Sequence, residues 1–125
     1  MSESVCITPE VSKEFTILLP DWIKVVAAKD TLSLQILEQD IDKGEASSII
    51  LAMETVNSLL VVDDLAARKV AKKLGVSYTG TLGLLLSAKL HGVIPALKPI
   101  FHKIASTNFR ISEKLLRDIL DIAQE

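Results

Sequence analysis

Four consecutive apolar residues, Leu59, Leu60, Val61 and Val62, sit between a breaker pair, Asn57-Ser58, and two acids, Asp63-Asp64. A run so short, bounded by turn residues and apolar on both sides of the pleat, reads as a strand covered by helices, the pattern of a parallel sheet. Helical periodicity flanks it on either side. Upstream, Ile49, Ala52, Met53 and Val56 follow Asp42, and downstream Ala67, Val70, Ala71 and Leu74 follow Asp64. Helix, strand, helix in that order implies an α/β fold in which a small parallel sheet is flanked by helices. Sites in such sheets form in the crevice beside the carboxyl ends of the strands, and this strand ends in two carboxylates.

The rest of the chain repeats the pattern. Val5-Cys6-Ile7 predicts a short strand, with Cys6 as a buried small residue. Thr8-Pro9 opens a helix over residues 9–15 that carries Glu10 and Glu14, since Thr caps and Pro at the first helical position loses no bond. Residues 22–27 read as the next strand, with Trp22 packing at its mouth. Asp30 or Thr31 begins a helix through Leu34, Ile36, Leu37 and Ile41, which leads into the helix headed by Asp42. There Glu45 is the third helical residue, the spacing of a capping box. Gly75 suits a left-handed helix end. Residues 76–79 form a strand, and Thr79-Gly80-Thr81 turns into a helix reaching Leu90, whose free N–H groups suit an anion. Gly92 stops that helix. Residues 95–105 predict another, and Ser112 caps the last one, with Leu115, Leu116, Ile119, Leu120 and Ile122.

At 125 residues the chain supports a single domain, 1–125, with one core. No apolar run approaches the roughly 18 residues of a spanning helix, and no basic segment precedes an apolar one at the N-terminus, so a cytoplasmic protein is expected. A lone cysteine makes no internal disulfide. His91 and His102 have no spaced Cys or His partner, which argues against zinc. The net charge of −2 gives no overall attraction for nucleic acid, so any nucleic acid bound would have to be met by a local patch. Arg68, Lys69, Lys72 and Lys73, on one face of a helix, form the best such patch; the plainer reading is a solvated face.

Three segments carry a family resemblance. D-x-G-E-A-x-x-I-x-L-A-x-E begins at Asp42, L-L-V-V-D-D-x-x-A-R-x-x-A-x-x-L-G begins at Leu59, and T-G-T-L-G-L-L begins at Thr79. Together they resemble the PIN-domain family, in its small prokaryotic branch related to toxin ribonucleases. The resemblance implies a PIN-like three-layer fold and a metal-dependent ribonuclease using Mg²⁺ or Mn²⁺. It implies Glu14, at the end of P-x-V-x-x-E, as a site residue beside Glu45 and Asp64, with Asp63 the alternative to Asp64. Asn108-Phe109-Arg110 matches a segment of this branch, so Arg110 joins the candidate RNA contacts. An RNA substrate, an antitoxin protein and a homo-oligomer are the implied partners. Such domains open with a strand ending in Asp, and this chain lacks it. The expectation is therefore an N-terminally truncated fold with a gap in the sheet and a weaker metal site, with only Glu3 nearby as a replacement acid.

The chemistry agrees with the resemblance. Carboxylates without His or Cys make a hard-oxygen site, which suits Mg²⁺ or Mn²⁺. Each acid also has a structural alternative, because Glu45 can close a box with Asp42 and Asp63 or Asp64 can cap the next helix. A non-catalytic PIN-like binding or dimerisation module is the second reading. A phospho-acceptor domain built on Asp63-Asp64 is the third, but the separate acceptor Asp and late Lys it requires are missing.

Overall fold

The buried hydroxyl of Thr8 marks the turn from strand to helix at the start of the fold. In the computed structural model, which describes residues 4–107 and 111–125, β1 (Val5–Ile7) ends at Thr8 and α1 (Pro9–Ser12) follows. The Thr8 hydroxyl accepts from the Val11 amide at 3.3 Å, as a capping Thr does. The helix is shorter than the predicted 9–15. Glu14 lies in the turn beyond it, with its amide bonded to the Val11 carbonyl at 3.0 Å.

A second strand, β2 (Ile23–Val25), pairs in parallel with β1, Val5 opposite Ile23 and Ile7 opposite Val25. Then come α2 (Thr31–Leu37), α3 (Lys43–Glu54) and β3 (Leu60–Val61), followed by α4 (Leu65–Lys73) and β4 (Tyr78–Thr79). The β3 and β4 strands pair in parallel, Leu60 opposite Tyr78 and Val61 opposite Thr79. The protein is thus an α/β chain, but among the described residues its strands form two separate parallel pairs. Sequence signals mark the junctions: Asp30 caps α2 by accepting from Ser33, and Asn57 and Gly75 take positive φ where α3 and α4 have ended.

The chain divides into two compact units, Met1–Gly80 and Thr81–Glu125. In the first, Leu60 and Val62 pack with Ile41, Ala46, Ile49, Ala67 and Ala71, so α3 and α4 cover one face of β3. The alternate residues Leu59 and Val61 are 55% and 45% exposed, although the solid apolar run predicts cover on both faces. Cys6 is exposed as well, contrary to expectation, because β1 and β2 form a pair with little packed on it. Trp22, expected to pack, is 65% exposed.

The second unit is helical. It comprises α5 (Thr81–Leu90), α6 (Lys98–Ala105) and α7 (Glu113–Ile122) around Leu97, Phe101, Ile119 and Ala123. Glu125 ties it together: its carboxylate accepts from the amides of Leu97 and Lys98 at 2.7 and 3.1 Å and meets Lys89 at 3.4 Å. Those are free N–H groups at the start of α6, and a carboxylate is well placed there.

A buried hydrogen bond joins the head of α1 to α3. Thr8 and Ser47 are both fully buried and their hydroxyls are 2.7 Å apart. Ser47 donates to the Gly44 carbonyl at 2.9 Å, so Thr8 must supply the proton between the two hydroxyls. Removing one partner strands the other in the core, and Ser47→Ala is expected to cost about 1–3 kcal/mol in urea unfolding. Thr8→Ser, which keeps the hydroxyl, is expected to cost less. A neutral Ser47→Ala would show that this contact does not hold the helices together.

Candidate functional site

The amino-terminal turn of α3 is where the acids meet. Asp42 takes the N-cap backbone position of α3, but its side chain makes no capping hydrogen bond, so the predicted box with Glu45 does not form. The Asp42 carboxylate lines an open hollow with Glu14, Lys43 and Gly44. Glu45 follows on the next position of the helix and is half-buried.

Gly44 explains how α1 and α3 come so close. A Cβ at this position would sit 2.9 Å from Glu14 Oε1 and 3.3 Å from Val11 Cγ2. The space is taken by the Glu14 side chain, so the glycine of D-x-G-E is a seat for a carboxylate.

At the other side, Asp64 heads α4 and its Oδ2 accepts from the Ala67 amide at 3.0 Å. The capping role expected for one of the two aspartates therefore falls to Asp64. Burial raises the Glu45 pKa above the ordinary carboxyl range, and the negative charges of Asp64, Asp42 and Glu14 add to it. Glu45 is thus the acid on which the field of three others converges.

Asp63 turns elsewhere. Its Oδ1 is 3.7 Å from Arg68 Nη2, and Arg68 Nε donates to the Val62 carbonyl at 2.9 Å. Arg68 is folded over the strand end, while Lys69, Lys72 and Lys73 are exposed along α4. Arg110 and Glu3 lie outside the described residues. Asp64, Asp42 and Glu14 thus all bear electrostatically on Glu45, while Asp63 faces Arg68. The sequence position of Asp42 is that of a cap; Gly44, two residues on, is the signal that a side chain approaches there.

Carboxylates of this kind suit a hard divalent cation. Among the described residues no group of three or more His, Cys, Asp or Glu is gathered closely enough to hold an ion. The Glu45 and Asp64 pair still fits Mg²⁺ in kind, because that ion commonly takes one or two carboxylates and completes its shell with water and substrate phosphate.

A family model described as DUF3368, PIN domain, matches residues 1–125. The chain belongs to the PIN-domain family. PIN domains generally use divalent metals, and the family points to RNA-related function. No curated protein and no solved structure matches the chain. No helix among the described residues is long and apolar enough to cross a membrane.

The raised pKa of Glu45 has a consequence for stability. A glutamate with a higher pKa in the folded state binds its proton more tightly there, so it favours folding below the ordinary value of about 4.3. That stability is lost as pH rises through the raised folded value. Glu45→Gln cannot ionise and escapes the loss. It is expected to melt at a higher temperature than the wild type at neutral pH, with the difference vanishing below about pH 4. A lower melting temperature at neutral pH would instead show that the Glu45 carboxylate is a net stabiliser.

Proposed function

We propose that the chain is a metal-dependent ribonuclease of the PIN type, with Glu45 and Asp64 as the carboxylates that hold Mg²⁺ or Mn²⁺. The supporting observation is the half-buried Glu45 in the field of Asp64, Asp42 and Glu14, with Asp64 fixed at the head of α4. A divalent ion supplies an activated water and neutralises charge at phosphorus. Glu45, half-buried among negative charges, would be relieved of part of that repulsion by a bound cation. Asp64 is kept in place by the Ala67 amide, so it presents one oriented carboxylate. Glu14 and Asp42 orient the pair from the α1 side. Lys69, Lys72 and Lys73, exposed on α4, and Arg110 contact RNA phosphates. In a toxin–antitoxin setting the partner is an antitoxin protein, and a cytoplasmic location suits such a pair.

Cleavage of single-stranded RNA with Mn²⁺ tests this reading. Glu45→Gln and Asp64→Asn are each expected to remove most of the activity, and EDTA all of it; cleavage that persists in EDTA overturns the proposal. Reversing Lys72 and Lys73 to Glu is expected to weaken RNA binding and flatten its salt dependence. An unchanged salt slope points to another surface.

A second reading is a non-catalytic module that dimerises or binds an antitoxin. The observation in its favour is the exposure of Leu59 and Val61 on β3, with the strands divided into two pairs. Parallel strands are normally covered on both faces, so a homo-oligomer that covers these residues is expected. Light scattering at low micromolar concentration decides: a well-folded monomer overturns the oligomer.

A further inference from the structure

Arg68 differs from the other cations of its helix in being built into the strand end. Its Nε donates to the carbonyl of Val62, the residue just before the two aspartates, at 2.9 Å. Its Nη2 faces Asp63 Oδ1 at 3.7 Å, with the side chain 36% exposed. The guanidinium also needs room, and Gly80 provides it. A Cβ at Gly80 would run into Arg68 Nη2 and would lie 3.2 Å from Arg68 Cζ and 2.9 Å from Asp63 Oδ1. Gly80 is buried directly after β4, so this seat belongs to the same pair of strands that carries the acids.

Placed there, a guanidinium does two things to its surroundings. It engages one of two adjacent carboxylates, and it sets a permanent positive charge beside a cluster of negative ones. We infer that Arg68 is a resident counter-ion of the candidate site: it holds Asp63 apart from Glu45, leaves Asp64 to meet Glu45, and competes with a divalent cation for the charge of the strand end. Gly80 is the seat that makes this placement sterically open. Arg68 is then a positioning residue that sets metal affinity, and it is distinct from the lysines exposed along α4. This rests on the metal-dependent reading above.

Calorimetric titration of the full chain with Mn²⁺ tests the inference without recourse to activity. Arg68→Gln is expected to bind Mn²⁺ at least about tenfold more tightly than the wild type, because the positive charge that faces Asp63 at the strand end is gone. A residue that merely supported the fold would act in the opposite direction. Adding Asp63→Asn to Arg68→Gln is expected to return the affinity toward the wild-type value. Gly80→Ala, which keeps the arginine but evicts it from its seat, is expected to tighten binding by a smaller factor. Circular dichroism establishes that each variant is folded. A folded Arg68→Gln chain that binds Mn²⁺ no more tightly than a wild type that does bind it overturns the inference and leaves the nuclease reading standing. If Arg68→Gln does not fold, unchanged affinity in folded Gly80→Ala overturns it. Absence of binding by the wild type and both variants overturns the inference and the metal-dependent reading together.

Discussion

The buried contact between Thr8 and Ser47 is what the candidate site depends on. Thr8 closes β1 and caps α1, while Ser47 lies one turn into α3, so their hydroxyls join two segments separated by 39 positions. The proton path is complete, from the Val11 amide to Thr8, from Thr8 to Ser47, and from Ser47 to the Gly44 carbonyl. A satisfied chain of this kind is worth keeping buried, because each member would be costly if left alone. It brings α1 so close to α3 that a Cβ at position 44 would crowd Val11 and the Glu14 carboxylate. Glu14 arrives beside Glu45 as a result, although its own helix has ended two residues earlier.

Bringing acids together works against folding, and the structure compensates locally. Glu45 answers with a raised pKa, Asp64 by accepting from the Ala67 amide at the head of α4, and Asp63 by facing Arg68. These are three different remedies for the same repulsion. Residues that conflict with local stability are where function is expected to reside, and here the conflict centres on Glu45.

Long-range caps were beyond the reach of local pattern. Glu54 ends α3, yet its carboxylate accepts from the amides of Lys29 at 2.8 and 3.1 Å and of Asp30 at 2.9 Å, before α2 begins. Glu125 does the same for α6 from the far end of the second unit. Neither acid stands near its target in the chain, so no spacing rule reaches it. Caps built from neighbours were legible: Thr8, Asp30, Asp64 and Ser112 each accept from the amide three residues ahead.

The sequence by itself determined the order of helices and strands, their ends at Asn57, Gly75 and Gly92, and the acids flanking one apolar strand. These follow from periodicity, caps and backbone preference, all of which act over a few residues. It also carried the three segments that place the chain in its family. Tertiary structure alone decided which of two adjacent aspartates meets Glu45, that Asp42 leaves its helix uncapped, and that Cys6 and one face of β3 stay exposed. Adjacent residues point in different directions, and the choice between them depends on what packs nearby. Asp63 faces Arg68 across the strand end, while Asp64 accepts from the Ala67 amide at the head of α4.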